Sequence, residues 1–281
     1  MKVKPSLLME GSLIINNILN TAMTMLKSTS RTFYIPISRL EPGLKEAVSS
    51  AYLCMRAIDE IEDHSELARQ TKAELLDGIS QALQSQRLQD ISKLLSPYET
   101  TLPPVTLQLE DWLLFCPESI APNVYRYIAM MSEQMAGWVR SNWTIHTEED
   151  LDRYTYSVAG MVGEMLSELW EWHDGTKSDL TKAVAFGRGL QAVNIIRNRT
   201  EDLERGVDYY PDGWGLEEML RYTRRNLQTA DAYIADLKKG PALEFCKIPL
   251  ALAHATVKII AVGGSKLTRA NVLDIVSRVT K

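Results

Sequence analysis

The sequence predicts an all-α protein. Apolar residues recur at three- and four-residue steps along most of its 281 residues, strand-like alternation is scarce, and caps and prolines punctuate the chain at ordinary helix spacing. An apolar fraction of 45% and a charged fraction of 24% are those of a globular chain, and the length suffices for a substantial core.

Glu41-Pro42-Gly43 opens a helix that runs to about Asp63, with Leu44, Val48, Ala51, Tyr52 and Met55 on one buried face. Glu66 to Leu95 reads as one or two amphipathic helices, and Ser96 to Thr106, which carries Pro97, Pro103 and Pro104, reads as a loop. Similar helical patterns flank that loop, so residues 1–281 are read as a single domain. Pro117 and Pro122 bracket the start of a helix through about Asn142. Thr147-Glu148-Glu149-Asp150 has the pattern of an N-terminal cap, and one long helix is expected from there to about His173. Ser178-Asp179 caps a helix through about Leu203, with Gly206 and Pro211 at its exit. Helices over Leu216–Lys238, Pro241–Val262, with a kink at Pro249, and Thr268–Val279 complete nine to eleven in all.

A net charge of −5 gives no general footprint for nucleic acid, and no nucleic-acid partner is expected. A net negative enzyme acting on anions must gather positive charge locally or import metal cations. Cys54, Cys116 and Cys246 are odd in number and far apart, which argues against a disulfide framework or zinc site and fits a reducing cytoplasm. Neither a signal peptide nor an apolar run of membrane-spanning length is read, so a cytoplasmic location is expected.

Two polar stripes emerge from otherwise apolar helices. In Asp59-Glu60-Ile61-Glu62-Asp63, the carboxylates of Asp59, Glu62 and Asp63 share one helix face, with Arg56 one turn upstream. Carboxylates gathered this way repel one another, and magnesium, which bridges carboxylates to phosphates, is their natural partner. In the second stripe Asn194, Asn198 and Asp202 step by four, with Gln191 and Glu201 adjacent and Arg197 and Arg199 close by. A single acidic triplet is more often a solvated helix face. Two clusters of similar spacing, each with arginines, point to a two-sided metal–diphosphate site.

The same residues carry a resemblance. Ser30-Arg31-Thr32-Phe33, Tyr52 through Asp63, Met131 through Ala136, Tyr154 with Val158-Ala159-Gly160-Met161-Val162-Gly163, Gln191 through Pro211, and Phe245-Cys246-Lys247-Ile248-Pro249 resemble, in order, segments of the squalene/phytoene synthase family. The matches cover about residues 28–262. The resemblance implies an isoprenoid-synthase helical bundle around a central cavity, and magnesium-dependent head-to-head condensation of two prenyl diphosphates, farnesyl first among them. It further implies that Asp59, Glu62 and Asp63 hold magnesium on one wall and Glu201, Asp202 and Asn198 on the other. Arg31 and Arg56 would steady diphosphate oxygens, with Tyr52 and Arg197 also on the substrate side. Tyr154 would sit beside the leaving group, and Gln191 and Asn194 would line the reacting centre. The stretch Ala159–Gly163 reads either as close helix packing or as room for a prenyl chain, and Met130, Met131, Met135, Met161 and Met165 as core or as cavity lining.

The sequence departs from the family at three places. Asn198 replaces the usual leading aspartate of the second stripe, Val207 stands where a basic residue is usual, and Thr155-Tyr156-Ser157 differs from the usual run. The basic stretch tied to NADPH in squalene synthases has only Ser265-Lys266-Leu267-Thr268-Arg269 as its counterpart, so NADPH use is weakly implied. Asn198 and Val207 keep open a one-substrate enzyme that cyclises the cation, gives it to water or transfers it to another acceptor. An inactive prenyl-diphosphate-binding relative is a further alternative. A greasy product also leaves open peripheral contact with a membrane.

Overall fold

The computed structural model describes residues 18–264 and 266–280, except the side chain of Arg31. Among these residues every regular element is helical. Residues 18–29 form α1, and Ser30 caps α2 (Arg31–Ser38) by accepting the Phe33 N–H at 3.1 Å. Helix α3 (Leu44–Glu62) starts after Gly43, whose φ of +87° suits glycine, and the Glu46 carboxylate accepts the Gly43 N–H. It is buried on most sides and touches α4 (Arg69–Gln84), α6 (Pro104–Leu107), α7 (Leu109–Leu114) and α8 (Ala121–Arg140). Short α5 (Gln89–Leu95) rests on α4 and α7.

Two expectations are corrected. The proline-bearing stretch 96–106 is partly helical, with a 3-10 turn at Ser96–Tyr98 followed by the start of α6. Pro97 and Pro104 lie in first turns, where a missing N–H breaks no hydrogen bond. The single helix expected from Thr147 is divided into α9 (Glu148–Thr155), a π turn (Tyr156–Gly160) and α10 (Met161–Asp174). The divided segment presses on α11 (Leu180–Glu204) with almost no side chain between. A Cβ on Gly163 would stand 2.1 Å from the Ala183 carbonyl oxygen, and one on Gly187 would stand 2.1 Å from that of Ala159. Such short pieces raise the number of helical segments among the described residues above the expected nine to eleven.

Helix α11 pairs along its length with α12 (Leu216–Asp236), and α13 (Pro241–Ala261) continues through Pro249 to cover α11, α12 and α2. α14 (Arg269–Val279), capped by Thr268, lies on α13. One contiguous buried cluster unites α1 through α13. The three cysteines are buried and unpaired. Among the described residues no helix is long and apolar enough to cross a membrane.

Candidate active site

A cavity of about 290 Å³ lies between α3, the π turn, α10, α11 and α13. Its lining is graded. Val48 and Asp59 on α3 both face it, eleven residues and thus about 16 Å apart along the helix, as do Ala183 and Asn194 on α11. The C-terminal parts of both helices contribute its polar groups: Arg56, Asp59, Gln191 and Asn194. The rest is apolar, with aromatic pairs Trp170–Phe245 at 5.4 Å and Phe186–Tyr233 at 5.9 Å between ring centres. Val158, Ala159, Val162 and Gly163 line it, and Ala159 and Gly163 also pack closely on α11. Of the five methionines considered, Met131 and Met165 reach the cavity.

At the polar end the carboxylates are divided among separate donors. Arg56 pairs with Asp59 and Glu60, while its Nε is buried without a protein partner. Glu62, 2% exposed, accepts the Trp143 indole N–H at 2.5 Å. Lys72 donates to the Glu62 backbone carbonyl at 2.7 Å and lies 5.6 Å from the Trp143 ring centre. Asp63 and Asp202 are joined by one guanidinium: Arg205 Nη1 lies 2.5 Å from Asp63 Oδ1 and Nη2 lies 2.6 Å from Asp202 Oδ1. Tyr154 stacks on Tyr209 at 4.5 Å and meets Trp138 edge-on.

Burial pushes Glu62 up to about 8, with Asp63 and Asp59 adding to the rise and Trp143 opposing it. Partial desolvation on the cavity wall, where its side chain is 34% exposed, pushes Asp59 up to about 7, reinforced by Asp63 and opposed by Arg56. Asp202 is raised by burial against the pull of Arg205. Burial raises Tyr154 and Tyr209 well above the ordinary phenol value, so both keep their protons. The ordinary values are 3.8 for Asp and 4.5 for Glu, so the folded chain binds protons that the unfolded chain has released across the window up to about 8. Stability therefore falls as pH rises through that window. With metal removed by chelator, the melting temperature should be lower near pH 8 than near about pH 5. A melting temperature that climbs across this interval would contradict the raised proton affinity of these two carboxylates.

The structure brings Tyr52, Arg56, Asp59, Gln191 and Asn194 to the cavity wall. It brings Asp63 and Asp202 together through Arg205, and Glu62 and Tyr154 are buried behind them. Asn198 Oδ1 accepts from Arg197 Nε at 3.1 Å, Arg197 is exposed, and Glu201 pairs outward with Lys266 at 3.1 Å. The Arg31 side chain and Ser265 lie outside the described residues. Among the described residues no three acidic, histidine or cysteine side chains converge as a ready metal cage. Three carboxylates on one helix face do not by themselves make a common ligand set: without a cation among them, repulsion favours separate donors. Magnesium takes one or two carboxylates together with substrate phosphates and waters, and a cationic guanidinium already spans Asp63 and Asp202, so this donor set fits a metal–diphosphate complex.

Trp143, Lys72 and Arg205 were not anticipated. Trp143 follows Asn142, both with positive φ (49° and 54°), in a loop with no periodic signal. Arg205 stands two residues before Val207, the position where a basic residue was missed.

The squalene/phytoene synthase family model matches residues 26–217, more than half of the chain. Squalene synthase of Rattus norvegicus is 26% identical over 271 residues, covering 86% of this chain and 64% of that protein. Squalene synthase of Dictyostelium discoideum is 26% identical, covering 83% and 62%. The chain thus spans slightly under two thirds of the length of these curated relatives. A complex of TcSQS with ligand E5700 shares the fold at a TM-score of 0.78 with 21% identity, covering 94% of this chain and 86% of that one. A dehydrosqualene synthase in complex with ligand does so at 0.60 with 17% identity, covering 95% and 96%. A helical bundle whose acidic and arginine-bearing helix ends meet over an apolar cavity, and a family match that includes both of those ends, place this chain in the squalene/phytoene synthase family.

Proposed function

We propose that this chain is a magnesium-dependent prenyltransferase that ionises prenyl diphosphates, with farnesyl diphosphate as the substrate, and couples two of them head to head. The observation that carries the proposal is the graded cavity: about 16 Å of helix from apolar floor to charged rim suits an extended fifteen-carbon chain with its diphosphate at Asp59 and Arg56. Asp59, Glu62, Asp63 and Asp202 would hold magnesium, with Glu201 and Asn198 completing the second wall. Magnesium bound there would neutralise the diphosphate and make it a competent leaving group. Arg56 offers its unpartnered Nε–H to a diphosphate oxygen, which a buried donor otherwise lacks. Tyr154, kept protonated by burial, is a hydrogen-bond donor for the departing oxyanion rather than a competing anion. The Gln191–Asn194 amide pair, 3.4 Å apart, orients dipoles at the reacting end. The aromatic and aliphatic shaft withholds water from the allylic cation.

A second reading, ionisation of one substrate followed by cyclisation or capture by water, is favoured by Asn198. Its amide oxygen is taken up by Arg197 and brings no charge to the second wall. Incubation with farnesyl diphosphate and magnesium, with and without NADPH, followed by mass analysis of the organic extract, separates the two. A thirty-carbon product is expected, and its dependence on NADPH shows whether reduction follows coupling. An extract with only fifteen-carbon hydrocarbon or alcohol overturns the coupling reading.

A further inference from the structure

Arg205 is the one side chain among those described that bonds to both acidic helix ends. Its two terminal nitrogens reach Asp63 and Asp202, which are 139 residues apart in sequence and sit on opposite sides of the polar rim. It also lowers the electrostatic cost of ionising Asp59 and Glu62. Asp202 is 7% exposed, whereas the Arg205 side chain is 37% exposed and leaves the residue that caps α11, just before Gly206 with its φ of +80°. Asp202 is thus buried, whereas Asp63, its side chain 43% exposed, and the guanidinium are both open to solvent, the cation on the last turn before a glycine.

A guanidinium bonded to these carboxylate oxygens and a magnesium ion bonded to the same oxygens exclude one another. The planar fork that fits a carboxylate also fits phosphate oxygens. We propose that Arg205 is a resident counter-ion, which joins the two acidic walls in the metal-free protein and passes to the substrate diphosphate when magnesium takes its carboxylates. Metal and diphosphate then load as one unit, and magnesium alone binds weakly because it must displace a guanidinium from two carboxylates with no diphosphate present to receive it. This inference rests on the metal–diphosphate reading above. It also explains how the chain dispenses with a basic residue at Val207: the charge is carried two residues earlier, where it reaches both walls.

The test is calorimetric titration of the intact protein with magnesium alone and with preformed magnesium pyrophosphate, for wild type, Arg205→Gln and Arg205→Lys. The signature is a pair of opposite shifts. Arg205→Gln should bind magnesium alone roughly tenfold more tightly than wild type and magnesium pyrophosphate roughly tenfold more weakly. Arg205→Lys keeps the charge but cannot span both carboxylates, so its magnesium affinity should rise while its pyrophosphate affinity stays nearer wild type. The metal-free melting temperature of Arg205→Gln should fall and be restored by magnesium. Shifts of the same sign for both ligands would make Arg205 an ordinary structural bridge, and no shift in either would make it a solvated surface pair; each overturns the inference. A wild-type protein that binds neither ligand would overturn the metal–diphosphate reading itself, and this inference with it.

Discussion

Asp59→Ala should lower magnesium-dependent release of pyrophosphate from farnesyl diphosphate by about a thousandfold, while leaving the metal-free protein as stable as wild type or more so. Asp59 is the only acidic side chain on the cavity wall among the described residues, at the boundary between the apolar shaft and the charged rim. Whatever neutralises the leaving group must be held there, and the other two carboxylates of the stripe stand off the cavity wall, Glu62 accepting from Trp143 and Asp63 pairing with Arg205, so they can complete a ligand set but do not replace Asp59 at that boundary. The stability half of the expectation follows from the partial desolvation and the Asp63 charge that raise Asp59 to about 7. Such a carboxylate is a net cost to the metal-free fold at neutral pH, and alanine removes it. Arg56 is not stranded by the change, because Glu60 still pairs with it. A pyrophosphate-release assay and a thermal melt on the same preparation test both halves. Full turnover by the variant would sink the assignment of Asp59, and a large drop in melting temperature would show that Asp59 supports the fold rather than the chemistry.

Periodicity and caps made the fold legible wherever a helix carried its own signal. Thr147, Asp179 and Thr268 were readable as starts, and the helices they open begin at the next residue, whereas the helix expected to open at Glu41-Pro42-Gly43 starts only at Leu44, with Pro42 in the turn before it and Gly43 as its cap. Tertiary contact decided the rest. The π turn at Tyr156–Gly160 follows from the α11 backbone lying against this segment, which no local pattern encodes. In the site, spacing alone put Asp59, Glu62 and Asp63 on one face, and the structure gives each a different setting: Asp59 on the cavity wall, Glu62 on Trp143 and Asp63 on Arg205. Spacing was silent on where each carboxylate turns. Trp143 reaches Glu62 across 81 residues and Arg205 reaches Asp63 across 142. Both are long-range choices set by charge and burial. Asn198 and Arg197 are adjacent in sequence, so the geometry that draws the Asn198 oxygen to Arg197 is a local event, but it depends on side-chain rotamers that residue identity does not fix.

Gly163→Ala should destabilise the protein by about 3 kcal/mol and lower its melting temperature by about 5–10 °C, although alanine is the better helix former. Propensity by itself predicts the opposite sign, a gain of up to about 1 kcal/mol. Packing overrides it because the new Cβ would meet backbone rather than a movable side chain: the Ala183 carbonyl oxygen at 2.1 Å and its carbon at 2.6 Å. Relief requires α10 and α11 to separate by roughly 1 Å, in an interior packed too densely to absorb the shift elsewhere. Gly137→Ala in α8 is the control, since nothing lies within 4 Å of its added Cβ and only the propensity gain should appear. The functional consequence should exceed the loss of stability, because Gly163, Ala183 and Gly187 all line the cavity and the parting helices form one wall of its shaft. Water then reaches the cation, and the extract should shift from coupled product toward free fifteen-carbon alcohol even below the melting transition. If Gly163→Ala melts with wild type and keeps its product ratio, the two helices are not in backbone contact here, and the shaft is not what keeps the cation dry.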